Sequence, residues 1–329
     1  MPNLALADDA SARRAAVQLY LRTGEYDPKF LAWSGNVIER ETKAMADMLQ
    51  ALVAEVKKLS RRIHVPSFPA DLVAFTRKKV EPMVRGLFRR NEQETVLAVL
   101  EKSLVFLTPA NIEQVLLGCT WPHSAWDLAN LYLGSVGAPL LGPDAPKIVG
   151  LSEGTTCFVS LKYFKMGDPF ADFVVHEAAH IFHNCKRRTI GLAETRKREW
   201  LLDIEYQKRE TFAYACEAYA RILERAPKPQ DRPGHAIEYA SKVRVSGEWV
   251  DPLEVNSILA DACAARNGWE IILDMCALEK SKTISRPPRS DDGQPPVSYR
   301  AAKWCRHHEP GSRIPRGGYL DLLAGGSSG

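Results

Sequence analysis

The stretch Phe170 to Asn184, FADFVVHEAAHIFHN, constrains this chain more than any other. It holds no Gly or Pro, and Phe170, Val174, Ala178 and Ile181 recur at helical spacing, which predicts a helix with one apolar side. Within it stands His176-Glu177-Ala178-Ala179-His180, the pattern H-E-x-x-H. On a helix, a separation of four stacks two imidazoles one turn apart on the same face, close enough to share one cation. Glu177 points to the side of that face, where it reaches a water on the cation without being a ligand. Two neutral imidazoles plus a carboxylate suit zinc and leave a fourth position open for water. The pattern can arise by chance. Its helical context, apolar backing and downstream carboxylates make a metal helix the better reading.

The surrounding chain sets few other limits. Its 329 residues suffice for one large or two modest domains, and 45% hydrophobic with 26% charged residues is ordinary for a soluble globular protein. A net charge of +4 gives no argument for a nucleic-acid partner. No apolar run approaches the roughly 20 residues that span a bilayer, and the N-terminus lacks a signal-peptide core, so no membrane association is expected. Seven scattered Cys, without a Cys-x-x-Cys, suggest neither a disulfide framework nor a thiolate zinc site. They read as small buried residues of a reducing cytoplasm.

Periodicity predicts consecutive helices from about residue 10 to 108, the N-terminal helical region. Met45, Met48, Leu49, Leu52, Val56 and Leu59 form one apolar stripe, read as core. Arg61 to Ala70 is a loop; Leu72 to Phe88 and Glu92 to Leu107 resume as helices, with Pro82 expected to kink or split the first. Residues 109–279 are expected to form the domain that carries the metal helix. Thr108-Pro109-Ala110 opens a helix with Thr as N-cap, and Ser124 to Gly134 is another. Lys147 to Ser152 and Thr155 to Phe164 read as two strands joined around Glu153-Gly154, the second with two unlike faces. Cys185 to Leu192 is a basic connection, Ala193 to Arg225 mostly helix, Ala226 to Gly234 a Pro-rich break. Two further helices, Ala236 to Val245 and Pro252 to Leu278, complete the folded part. Residues 280–329 read as a disordered basic Pro/Gly-rich tail in which Cys305, His307 and His308 carry little metal-binding weight. The fold class expected is α+β, predominantly helical, with a small β-sheet beside the metal helix.

Two histidines do not complete a zinc site. His183 lies seven residues after His176, with Cα atoms about 10 Å apart on a straight helix, so three ligands along one helix converge poorly. A carboxylate from a second helix is the better solution. In Arg209 to Glu217, RETFAYACE, Glu210 is followed by Ala213 and Glu217 by Ala220, two Glu-x-x-Ala patterns seven apart on about one face. The small Ala one turn on lets such a helix approach closely. Glu210 is preferred as ligand, with Glu217 orienting an imidazole or serving as the alternative ligand. Glu194, Glu199 and Asp203 sit in a charged, solvated stretch and are weaker donors.

With H-E-x-x-H followed by Glu-x-x-Ala, the chain resembles the gluzincin branch of the zincin metallopeptidases over about residues 170–220. The resemblance implies a zincin-like catalytic domain, one zinc ion held by His176, His180 and a downstream Glu, and Glu177 as general base for hydrolysis of a peptide or protein substrate. It also implies that a strand before the metal helix, here Thr155 to Phe164, pairs with extended substrate. Tyr214, Tyr219, His235 and Tyr239 are the available donors for an oxyanion. Lys186, Arg187, Arg188, Arg196, Lys197 and Arg198 could favour an acidic partner, although interleaved acids read better as a solvated surface. The rival readings are a non-catalytic zinc-binding regulatory or interaction protein with such a module, and a helical nucleic-acid-associated protein with an accidental motif.

Overall fold

The apolar stripe expected near residue 50 lies on α2 (Val37–Ser60), where Met48, Leu49, Leu52 and Val56 are buried. Asn36 starts this helix by accepting the Glu39 N–H at 3.0 Å, while the Glu39 carboxylate accepts the Asn36 N–H at 3.1 Å. Two backbone donors of the open helix end are satisfied in this way. The computed structural model describes residues 10–63, 65, 67–145, 150–153, 156–165, 167–194, 198–242 and 250–278. Besides α2, the N-terminal part holds α1 (Ala10–Thr23), which packs on it, and α3 (Leu72–Leu87) and α4 (Arg90–Ser103), which pack on each other. Pro82 does not split α3. Pro82 is exposed, and so is Lys78, whose carbonyl loses its partner and can be hydrated instead.

The helix expected over 92–107 stops at Ser103, because Leu104–Phe106 is strand β1. Parallel pairing to β3 (Thr156–Val159), with Leu104 opposite Cys157 and Phe106 opposite Val159, overrides the helical pattern of the preceding turns. The antiparallel strand β2 (Gly150–Glu153) lies on the other side of β3, giving the order β1-β3-β2. The expected strand to Phe164 ends at Val159, and Leu161–Lys165 turns as a short 3-10 helix. Beyond Val159 the three-residue β1 has no residue left to pair. Tyr163 and Phe164 instead pack with Phe75 and Phe106 in one aromatic cluster.

The two faces of β3 serve different cores. Cys157 and Val159 join the larger one, built from α3, α4, α7 (Phe173–Asn184), α8 (Arg209–Arg225), α9 (Arg232–Ala240), α10 (Pro252–Ala264) and α11 (Gly268–Cys276). Phe158 joins the smaller one, built from α1, α2, α5 (Ile112–Leu117) and α6 (Pro122–Val136). Both cores therefore cross the expected division at 108/109. The fold is predominantly helical α+β with a small three-stranded sheet as the layer shared by the two cores.

Several boundaries differ from expectation. Thr108 does not cap α5: Asn111 stands at its start, and the Asn111 Oδ1 accepts the Thr108 N–H at 2.8 Å. α6 begins at Pro122 and ends at Gly137, whose left-handed φ of 79° suits glycine. Residues 198–205 are not helical; Lys186 bridges Trp200 and Ile204 bridges Ala277. α9 starts earlier, at Arg232, with Pro233 in its first turn. The last expected helix is broken into α10 and α11 around Asn267, whose Nδ2 donates to the Gly86 carbonyl at 3.0 Å. The tail, with Cys305, His307 and His308, lies outside the described residues, as do 147–149 and Thr155 of the two expected strands, Gly154 between them, and 243–245 of the helix expected from Ala236. The six described cysteines are buried. Among the described residues no helix is long and apolar enough to cross a membrane.

Candidate metal centre

α7 starts at Phe173, three residues later than its apolar spacing suggests, because Asp172 is its N-cap and accepts the Val175 N–H. Phe170, Val174, Ala178 and Ile181 are buried, as the apolar spacing requires. The opposite side of the helix presents His176 and His180, whose Nε2 atoms stand 3.1 Å apart. Glu210, in the first turn of α8, brings Oε2 to 3.8 Å from His176 Nε2 and Oε1 to 3.5 Å from His180 Nε2. Ala213, one turn further on, is fully buried, and α8 packs on α7.

This set fits a metal ion. A tetrahedral ion with bonds of about 2.0–2.1 Å holds its donors about 3.3 Å apart. The two Nε2 atoms stand near that distance, each lies 3.5–3.8 Å from a different oxygen of Glu210, and with one donor atom apiece His176, His180 and Glu210 lie within 4.8 Å of one another, a group able to hold one ion. Glu194, Glu199 and Asp203 are not part of it; Glu199 instead pairs with Lys186.

Glu217 stands behind the group. Its Oε2 lies 3.1 Å from His176 Nδ1, and its Oε1 accepts the Asp172 N–H at 2.6 Å. The Asp172 carboxylate, fully buried, accepts from Lys79 Nζ at 2.8 Å and from the Tyr163 hydroxyl at 3.0 Å. His180 has a different neighbour: its Nδ1 lies 3.0 Å from His183 Nε2, and His183 Nδ1 lies 3.1 Å from Asn184 Oδ1. Sequence reasoning considered His183 only as a ligand; its spacing of three from His180 was the signal for a contact between the two rings. Lys79, 93 residues from Asp172, left no such signal.

Burial and charge pull the three imidazoles apart. Burial works against a charged His176, but the hydrogen bond and charge of Glu217, helped by Glu177 and Glu210, push it up to about 9. Burial, and then the neighbouring His176, lower His180. Burial, followed by His180 and Arg209, takes His183 down to about 2.

Glu177 is half-buried on the flank of the two histidines, beside β2. A Cβ on Gly150 would sit 3.2 Å from Glu177 Oε1, so the glycine leaves the carboxylate its space. Of the four expected oxyanion donors, Tyr214 is the one packed on a histidine, its ring edge-on to His176 at 4.8 Å. Burial, then the carboxylates of Glu217 and Glu210, raise its phenol, which keeps its proton at neutral pH. Tyr219 packs on Trp269 and Tyr239 on Phe170, while His235 pairs with Glu238 at 2.9 Å.

Two expectations about substrate need correction. Of the expected strand Thr155 to Phe164, only Thr156–Val159 is strand among the described residues, and as the central strand, paired on both edges, it has no free edge to offer an extended chain. The basic segment, read as a solvated surface rather than a site for an acidic partner, is solvated only in part: Arg188 is exposed. Arg187 is buried and paired with Glu92, Lys186 with Glu199, and Arg198 lies 4.0 Å from Glu92. Arg196 and Lys197 lie outside the described residues.

No family model, curated protein or solved structure matches the chain.

Proposed function

We propose that the protein is a zinc-dependent peptidase whose ion is held by His176, His180 and Glu210. The observation that carries this reading is the convergence of two Nε2 atoms and one carboxylate, donor atoms within 4.8 Å of one another, with Glu177 flanking them. When bound, zinc would polarise the scissile carbonyl and bring the pKa of a bound water from about 15.7 towards about 7. Glu177 takes the proton of the attacking water and hands it to the departing amine nitrogen. Tyr214, protonated and beside His176, is placed to donate a hydrogen bond to the carbonyl oxygen as it gains charge. Glu217 holds His176 through Nδ1 and so directs its Nε2 towards the ion.

The strand that receives substrate in this reading is β2 rather than β3. β2 is an edge of the sheet, it carries Gly150, and Gly150 adjoins Glu177. An extended peptide added to that edge would lie beside the general base, bound through its main chain.

Zinc content tests the site. Wild type should hold one equivalent, and His180→Ala and Glu210→Ala should lose it. Glu177→Gln should keep the zinc and lose peptide hydrolysis by at least about 100-fold. Hydrolysis undiminished in that variant would remove Glu177 as the base. Stoichiometric zinc in a wild-type protein that cleaves no peptide would favour the non-catalytic zinc-binding reading.

A further inference from the structure

We propose that His183 is a positioning residue for His180, accepting the proton on His180 Nδ1 while Asn184 fixes the His183 tautomer; this role rests on the metal centre proposed above. Both histidines of the centre turn Nε2 inward, so each turns Nδ1 outward to a partner. For His176 that partner is the Glu217 carboxylate; for His180 it is the Nε2 of another imidazole, 3.0 Å away. A neutral imidazole that binds a cation through Nε2 carries its proton on Nδ1 and donates from there. His183 Nε2 must then be the acceptor, which places the His183 proton on Nδ1. From Nδ1 it donates to Asn184 Oδ1 at 3.1 Å. One assignment of protons satisfies every member of the chain.

Local spacing builds this relay. Residues 180 and 183 are neighbours on one side of α7, and Asn184 is the last residue of that helix. The His183 residue is only 3% exposed, and its ring meets His180 edge-on at 5.1 Å. The two ligands are thus held by unlike partners. Glu217 is anionic and raises the basicity of His176, whereas His183 orients its ring without adding negative charge to a centre already ringed by Glu177, Glu210 and Glu217.

The test is competition of Zn2+ against a chromophoric chelator, with Co2+ absorption as a readout of ligand geometry. His183→Phe keeps a ring but removes the acceptor; His183→Gln returns an acceptor oxygen near the former Nε2. The phenylalanine variant should bind Zn2+ about 10–100-fold more weakly and shift the Co2+ bands, and the glutamine variant should recover most of the loss. Asn184→Ala should weaken binding too, by less than His183→Phe. Wild-type affinity and an unchanged Co2+ spectrum in His183→Phe would overturn the positioning role alone. A wild-type protein that takes up no Zn2+, or one whose uptake survives His180→Ala, would overturn the centre itself and the role with it. If His183→Phe loses its helical circular dichroism, Asn184→Ala against His183→Gln decides: the role requires weaker binding in Asn184→Ala, and equal or reversed order overturns it.

Discussion

Glu217 uses both oxygens of one buried carboxylate to join two parts of the site, His176 Nδ1 on one side and the backbone N–H of Asp172 on the other. With His176 bound through Nε2, both neighbours are donors, so the position needs two acceptors. A glutamine supplies one acceptor and a donating amide, and would set donor against donor at one of the two contacts. Glu217→Gln should therefore lower zinc affinity about 10–100-fold and cost about 1–3 kcal/mol of stability. Chelator competition and urea unfolding measure the two effects, and a variant indistinguishable from wild type in both would show that His176 needs no such support. Glu210 and Glu217 are the same residue type seven positions apart on one helix. Their roles differ because the first turn of α8 meets the Nε2 side of the histidines and the third turn meets the Nδ1 side of His176.

At the scale of elements, the site is a seam between α7, α8 and the edge strand β2. α7 and α8 carry the ligands, and β2 contributes an absence of side chain. Gly150→Val would place branched atoms against the Glu177 carboxylate, since even a Cβ would stand 3.2 Å from its Oε1. The expected result is turnover reduced at least about 10-fold with zinc content unchanged. Full activity in that variant would mean that Glu177 does not work from its place beside β2. The short sheet also shows why alternation over residues 157–163 misled: a strand lasts only as long as its partner, and β1 offers three residues. The same alternation was informative in Cys157, Phe158 and Val159, which divide between two cores.

Across the whole molecule, buried charge ties distant segments to the centre. Arg187, just after α7, is buried with Glu92 of α4, and its Nε donates to the Ala193 carbonyl at 2.7 Å. Removing the carboxylate alone leaves a buried guanidinium unpaired, so Glu92→Ala should destabilise by about 3–5 kcal/mol in chemical denaturation. A change below about 1 kcal/mol would show that solvent reaches Arg187 in solution. Because the proposed ligands sit on two helices of the larger core, removal of an ion held there should also be felt globally. Binding at a hundred times the dissociation constant adds about 2.7 kcal/mol, so a chelator should lower the melting temperature, and a melting curve indifferent to chelator would argue against the site. The amino-acid sequence by itself determined the elements whose cause is local: the helix of His176 and His180, its paired histidines and flanking Glu177, the buried stripe of α2, the glutamates of α8. Periodicity and residue chemistry act within a turn or two, and those features need nothing more. Only the tertiary structure decided which face of α8 meets which nitrogen, that Lys79 pairs with Asp172, that Arg187 is buried, and that β3 is the central strand with β2 at an edge. Each of these depends on contacts between residues tens of positions apart, and no local pattern carries the direction in which two packed elements cross.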